Sequence, residues 1–340
     1  MIRIRTMLLL TMIFASSLLA AEPAMTKTGT TAASFLKIAS SARALGMGGA
    51  FVGVSDDVSS IFWNPAGLAL MKNGEAIFNH VNWLADVKYD VAAAALVLPE
   101  VGTVAVSVGI LSMGDMDITT TSQPEGTGST FSAGGTVVGL SFARSLTDMF
   151  SIGFTGKYIR EYIYNESASS FALDLGTWYR APILNGVCIG ASVSNFGPKM
   201  RMEGRDIMYL HKVNDLPNIT NVVNSSLEMD YFDLPLSFRV GIATDAIRDD
   251  NSRLTLAVDA VHPNDNSEYV NSGLEYCWQN TLSARLGWKS AFELDGEQGL
   301  TAGVGVAYDL TGTLGFLFDY AYQDFGRLKE VHYFSVGIKF

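Results

Sequence analysis

An all-β fold, a transmembrane antiparallel β-barrel of about fourteen strands with an N-terminal hatch inside the lumen, is what this sequence predicts, on three observations. From residue 74 onward the chain repeats segments of about ten residues in which apolar side chains alternate with small or polar ones. The connections between these segments alternate short and long. Aromatic residues gather at the ends of the apolar faces. Composition agrees: of 340 residues 48% are hydrophobic and only 17% charged, where a soluble domain carries about 25% charged residues. Part of the surface is therefore read as facing lipid.

Residues 1–21 read as a secretory signal peptide. Arg3 and Arg5 form a basic start, residues 7–14 an apolar run too short to span a bilayer, and Ala20 and Ala21 the small residues of a cleavage site. Residues 22–73 precede the first strand and are too apolar to float as a free tail. Leu45, Met47, Phe51, Val52, Ile61, Trp63 and Leu68 need a cover, and a barrel of about fourteen strands has room for one such insert. Residues 33–71 are accordingly read as a hatch. Gly46, Gly48 and Gly49 allow sharp bends against the wall. Ser55 or Asp56, in the Asp56-Asp57 pair, is the expected cap of a short helix through Phe62. Asn64 caps a second turn, with Pro65 in its first position and Gly67 within it.

Residues 74–340 form the barrel. Strands are expected near 74–82, 87–98, 102–112, 131–145, 149–164, 167–180, 186–196, 234–246, 252–262, 269–279, 281–290, 298–310, 313–323 and 331–340. In the third, Val104, Val106, Val108 and Ile110 share a face opposite Ala105, Ser107 and Gly109. In the twelfth, Leu300, Val304 and Val306 oppose Thr301, Gly303 and Gly305. A soluble β-sandwich also alternates, so the even strand number and the parity of the loops decide. Tight turns follow even strands, at Pro99, Arg248, Gln279 and Leu310. Longer loops follow most odd ones, at 113–130, 197–233, 262–268, 291–298 and 324–330. Short periplasmic turns and longer outer loops are the pattern of a transmembrane barrel. Tyr158, Tyr162, Tyr164, Tyr276, Trp278, Tyr320 and Tyr322 are read as interfacial girdle residues. The last strand ends on Phe340, which resembles the assembly signal of bacterial outer-membrane barrels and implies the barrel assembly machinery as a partner and outer-membrane lipid as the solvent.

Alternation points charges of both signs inward: Lys157, Glu161, Asp174, Arg180, Arg239, Asp259, Glu275, Arg285, Lys289 and Asp319. Adjacent strands should bring Arg239 near Asp259 and Glu275 near Arg285. Mixed signs beside many glycines suit a polar network satisfying an internal insert better than an ion path. The loop 197–233 carries Met200, Met202, Met208 and Tyr209, an adaptable apolar set suited to protein partners or to a lid over the mouth.

Other chemistry is not legible. Formal net charge is −11, which speaks against nucleic acid as a partner. Cys188 and Cys277 are too few for a disulfide scaffold and are expected as free thiols. The four histidines, His80, His211, His262 and His332, lack ligand spacing, so no metal is expected. No phosphate loop, cofactor motif or catalytic set stands out, and the chain is read as a non-enzyme.

The stretch "SSARALGMGGAFVGVSDDVSSIFWNPAGLALM" is similar to the N-terminal signature of the PorV/PorQ family and of the wider FadL-like outer-membrane proteins, in which a glycine-rich run leads to an Asp pair and an Asn-Pro-Ala-Gly turn. The resemblance implies one of two functions. PorV/PorQ proteins belong to the type IX secretion apparatus and bind or shuttle secreted cargo proteins or apparatus subunits. FadL-like proteins admit hydrophobic small molecules. The compact hatch and the modest third outer loop depart from the fatty-acid transporters and favour secretion.

Overall fold

A computed structural model describes residues 27–183, 186–213, 222–293, 296–310 and 314–340. The segment 1–21, expected as a signal peptide, lies outside the described residues. Fourteen long strands form one closed antiparallel ring: β1 Glu75–Asn82, β2 Lys88–Leu98, β3 Gly102–Ser112, β4 Ala133–Thr147, β5 Phe150–Ile163, β6 Glu166–Arg180, β7 Cys188–Phe196, β8 Ser237–Arg248, β9 Ser252–Pro263, β10 Tyr269–Trp278, β11 Leu282–Ala291, β12 Leu300–Asp309, β13 Gly315–Asp324 and β14 Glu330–Lys339. Each pairs with its chain neighbours, and β1 closes on β14 from Glu75↔Lys339 to Asn82↔His332. Closure satisfies every edge, the condition for β-structure in hydrocarbon. No described helix is long and apolar enough to cross a membrane; the strands do so.

Period-two alternation separates the faces as the sequence requires. On β6, Ala168, Ser170, Ala172, Asp174 and Trp178 are buried while Phe171, Leu173 and Leu175 are exposed. On β12, Thr301 is buried between exposed Leu300 and Val304. Phe78, Val106, Leu140, Phe154, Ile242, Val258, Leu286, Phe318 and Val336 extend the exposed apolar surface around the ring. That band would be unfavourable in water and is at home in lipid.

β7 is shorter than its neighbours, with nine residues. Its last residue but one, Asn195, is a non-glycine residue at φ 63°. Beyond it the outer end of β6 pairs instead with a two-residue strand, Ser167↔Glu203 and Glu166↔Gly204. The loop 113–132 adds a small bridge between Met116–Asp117 and Thr130–Phe131. The loop 197–236 carries a separate two-stranded ribbon, Met208–Lys212 with Val222–Ser226.

The segment before β1 crosses the ring from the long-loop end to the short-turn end. Near its start Thr31 bridges Asp233, and Lys37 Nζ lies 2.6 Å from Asp265 Oδ2. At its end Gly74 leads into β1, and the Phe340 N–H donates to the Gly74 carbonyl at 2.9 Å. Between them a short helix, α1 Ala42–Gly46, packs on β11 to β14, a 3₁₀ turn Val58–Phe62 on β1 to β3, and a second, Pro65–Leu70, on β4 to β6. Contact with opposite sides of the ring places the segment in the lumen. Leu45, Met47, Phe51, Val52, Val58, Ile61 and Leu68 have no exposed surface.

The wall accommodates this insert with missing side chains. Gly273 and Gly287 face each other on β10 and β11. A Cβ on either would stand 2.1 Å from the backbone of Met47 or Gly48, and Gly48 itself sits at φ 68°. Gly287→Val should therefore destabilise the folded barrel by about 1–3 kcal/mol, the usual cost of overpacking. A lowered temperature for loss of heat-modifiable mobility on gels would register it; an unchanged temperature would contradict the close packing.

Candidate functional site

Arg43 is the only cation between residues 38 and 71, and it fastens the insert to the wall. Its Nη1 donates to Asp56 Oδ1 at 2.6 Å and to Asp57 Oδ2 at 2.7 Å, while Nε and Nη2 donate to the two oxygens of Glu275 at 2.9 and 3.0 Å. Burial disfavours its charge, but Asp56, Glu275 and Asp57 outweigh that and hold the guanidinium pKa well above its ordinary value. Glu275, on β10, is 1% exposed and also accepts from Arg285 Nε at 2.7 Å and Arg253 Nη2 at 3.1 Å. Arg285 passes the network on to Asp319 at 2.5 Å. The cluster lines a polar cavity of about 250 Å³ on the short-turn side.

Asp57 does two tasks. Its Oδ1 accepts from the Ser59 N–H at 2.8 Å, capping the first 3₁₀ turn while Oδ2 holds Arg43. The expected caps Ser55 and Asp56 are displaced from that role: Ser55 Oγ donates back to the Phe51 carbonyl at 2.7 Å, and Asp56 is spent on Arg43. Asn64 caps the second turn, its Oδ1 accepting from the Ala66 N–H at 3.2 Å with Pro65 following. Its Nδ2 donates to the Val52 carbonyl at 3.0 Å and to the Thr177 carbonyl of β6 at 2.9 Å. Gly67 lies against Ser55, where a Cβ would stand 2.2 Å from the Ser55 carbonyl oxygen. Gly46 packs on Gly303 and Arg285, and Gly49 accepts the Trp63 indole N–H at 3.2 Å.

Of the remaining inward charges, Asp174 binds Lys157 Nζ at 2.5 Å and the Asn195 N–H at 2.7 Å, bracing the end of β7. Asp259 accepts the N–H groups of Phe51 and Val52 at 2.8 and 2.9 Å. It is not the ion-pair partner of Arg239, because the ladder sets Arg239 opposite Val261 and Asp259 opposite Gly241. Arg239 Nη1 instead donates to the Phe62 carbonyl at 3.3 Å. Glu275 and Arg285 do meet, paired directly in the ladder. Arg43, Arg253 and Asn195 were missing from the sequence reading; the solitary cation in an apolar insert was the one signal available for Arg43.

On the long-loop side of the insert lies a cavity of about 650 Å³, walled by Phe35, Phe62, Trp63, Tyr89 and Val137 and by the polar Ser237, Arg239 and Lys289. Above it the long loop divides. Met200 is 1% exposed, pairs with Phe232 and packs into the core, with Met202 against the same cluster, so these two methionines are lid rather than contact surface. Met208, Tyr209 and Leu210 stand on the ribbon at 55%, 47% and 72% exposure.

Cys188 and Cys277 are free thiols. Among the described residues no three His, Cys, Asp or Glu side chains converge as a metal site. His80 sits 2.6 Å from Asp90, and His262 lies 2.9 Å from Glu268, holding that exposed carboxyl below its usual range mainly through backbone and His262 hydrogen bonds.

The barrel is similar to solved structures at low identity. A FadL homologue of Pseudomonas aeruginosa aligns with a TM-score of 0.52 at 12% identity over 87% of this chain and 97% of that one. The toluene transporters TodX of Pseudomonas putida and TbuX of Ralstonia pickettii align at 0.54 and 0.51, with 10% and 13% identity, over 87% of this chain and 96% of each of theirs. At such identity the likeness establishes the fold alone. No curated protein matches the chain. The family profile of the type IX secretion system protein PorV matches residues 21–214. With more than half the chain inside that match, and a closed fourteen-stranded ring wrapped in exposed apolar side chains, the protein belongs to the PorV family and is a bacterial outer-membrane β-barrel.

Proposed function

We propose that the barrel is a non-catalytic receptor of type IX secretion that binds secreted cargo or apparatus subunits through the ribbon Met208–Lys212 and Val222–Ser226. The observation that carries this reading is the ribbon itself. Every residue of Met208–Lys212 is exposed, including Met208, Tyr209 and Leu210, and the ribbon pairs with no barrel strand. An unpaired strand edge bearing apolar and aromatic side chains is a ready surface for another polypeptide. The buried charges Arg43, Glu275 and Asp259 suit the same reading, since they hold the insert in place. Residues 22–73 act as the hatch of the barrel 74–340, and Phe340 is the residue offered to the assembly machinery.

Tyr209→Ser combined with Leu210→Ser tests it. Aromatic and large apolar anchors at an interface contribute about 2 kcal/mol or more each, so capture of exported proteins by the purified barrel should fall more than tenfold. Unchanged capture and unchanged export in cells would remove the ribbon from the reading. A second function, passage of a hydrophobic solute, draws on the apolar-walled cavity at the outer mouth. Against it, Phe51, Val58 and Ile61 fill the lumen beneath with no exposed surface. Solute flux into liposomes by the unmodified barrel would favour the channel.

A further inference from the structure

The outer surface of the seam between β1 and β14 changes character along its length. Tyr89, Val91, Val81, Tyr333 and Ala321 point into the core, so their chain neighbours face lipid. The ladder registers order these outward side chains into rows that cross β2, β1, β14 and β13. The row at the long-loop end reads Lys88, Asn82, His332 and Tyr322, and the next reads Asp90, His80, Phe334 and Tyr320. Further in, the rows turn apolar: Ala92, Phe78, Val336 and Phe318, then Ala94, Ala76, Ile338 and Phe316. Val336 and Ile338 lie between Phe78 of β1 and Phe316 and Phe318 of β13, and with them line an open groove of about 470 Å³. In the polar rows, His80 Nδ1 is 2.6 Å from Asp90 Oδ1 and His80 Nε2 is 3.1 Å from Asn82 Oδ1. The Tyr320 hydroxyl meets His332 Nδ1 at 2.8 Å, and the two rings stack at 6.0 Å. Asp90 Oδ2, Asn82 Nδ2, His332 Nε2 and the Tyr322 hydroxyl bind no protein group among the described residues. An ionisable side chain on a lipid-facing wall is costly and points to a site. Here Asp90 and His80, 37% and 33% exposed, stand between Ile110 and Phe334.

We propose that this seam binds a glycolipid of the outer leaflet, its sugar headgroup on Asp90, Asn82, His332 and Tyr322 and its acyl chains in the groove beside Phe78, Phe316 and Phe318. Head and tail follow from the order of the rows, polar at the long-loop end and apolar beneath on the same strands. From Tyr320 to Phe316 the wall runs about 13 Å along β13, within the ~15 Å of one hydrocarbon leaflet. Charge selects the head. Against one cation, Lys88, stand Asp90 and, one row farther out, Asp324 and Glu330, so a phosphate is repelled. A bare alkyl chain would leave the Asp90–His80 pair facing hydrocarbon. A sugar ring satisfies the whole patch: its hydroxyls donate to Asp90 and accept from Asn82 and Tyr322, and its C–H face packs on the aromatic rings. Because the site straddles the strands that close the ring, a bound lipid ties β1 to β14. The inference does not rest on the ribbon: cargo capture and glycolipid binding fail separately.

The test is native mass spectrometry of the full processed barrel in an oligoethylene glycol detergent, so that no sugar detergent competes. The probes are glucosyl dioleoylglycerol and dioleoyl phosphatidylglycerol, which share their acyl chains and differ in the head. The glucosyl lipid should bind at least about tenfold tighter, as one hydrogen bond to a charged group provides. His80→Leu combined with Asp90→Leu should erase that preference. Both changes place apolar side chains on a lipid-facing wall, so the barrel should fold as before, which heat-modifiable gel mobility verifies. Asn82→Ala alone, at the exposed rim, should already narrow the preference and keeps the test independent of the double variant. Ala76→Trp fills the groove and should weaken both lipids together. Arg160→Leu, which removes another outward charge on β5, should leave the preference intact. Equal affinity for the two lipids in the wild type overturns the site, and so does a preference that survives in the double leucine variant. Loss of the preference in Arg160→Leu overturns its location, and unchanged binding in Ala76→Trp overturns the placement of the acyl chains.

Discussion

Glu275→Gln is expected to loosen the N-terminal insert from the barrel wall and to raise the conductance of the reconstituted protein. The carboxylate is buried and accepts from three arginines, one on the insert and two on the wall. Glutamine keeps the shape, removes the charge and turns one acceptor into a donor aimed at guanidinium N–H groups. Breaking a buried pair on one side costs about 3–5 kcal/mol, mostly the penalty of stranded charge. Here the loss is directional. Arg43 keeps Asp56 and Asp57 within the insert, and Arg285 keeps Asp319 within the wall, so the bonds that vanish are the ones that join the two. Single-channel recording and protease cleavage between residues 43 and 57 would both show the change. Glu297→Gln, which alters an exposed pair with Arg327 far out on a loop, serves as the control and should behave as wild type. A silent, protease-resistant Glu275→Gln barrel would mean that the arginine cluster does not hold the insert.

Asn64→Ala should lower the yield of folded barrel in the membrane more than any other single change in the insert. One fully buried amide satisfies the Ala66 N–H, the Val52 carbonyl and the Thr177 carbonyl, joining two parts of the insert to β6. Alanine leaves all three backbone groups unpaired in a dry interior, where each orphan costs about 1–3 kcal/mol. Asn64→Asp separates capping from cross-linking. It retains the acceptor for Ala66 but loses both donations and buries a charge, so it should not rescue. Heat-modifiable mobility and the folded fraction in outer-membrane preparations are the readouts. Full rescue by aspartate would reduce Asn64 to an ordinary helix cap.

The strands were legible because a barrel in lipid has one rule along its whole length, and every observed strand end falls within three residues of the expectation. Leu300, Val304 and Val306 could point only outward once Gly303 and Gly305 had to point in. Loop parity was legible for the same reason: it follows from topology rather than from any contact. What failed was whatever depended on who meets whom. Asp57 could not be preferred over Ser55 or Asp56 as the cap without knowing that Arg43 occupies Asp56. Arg239 and Asp259 looked like partners because they sit on adjacent strands, yet the ladder offsets them, and the backbone of Phe51 and Val52 takes the carboxylate instead. Met200 and Met208 are alike in sequence, and only the path of the loop buries one and exposes the other. Charged residues from positions 43, 253, 275, 285 and 319 meet through closure of the ring, which leaves no local signature.

The joint between the first and last strands also constrains biogenesis. Because the insert is synthesised before β1 and is tethered to it at Gly74, and because β14 supplies the final seam, the cylinder has to zip shut around cargo of its own making. Lesions in the insert are therefore expected to surface as stalled insertion at the assembly site, before any mature pore exists to leak.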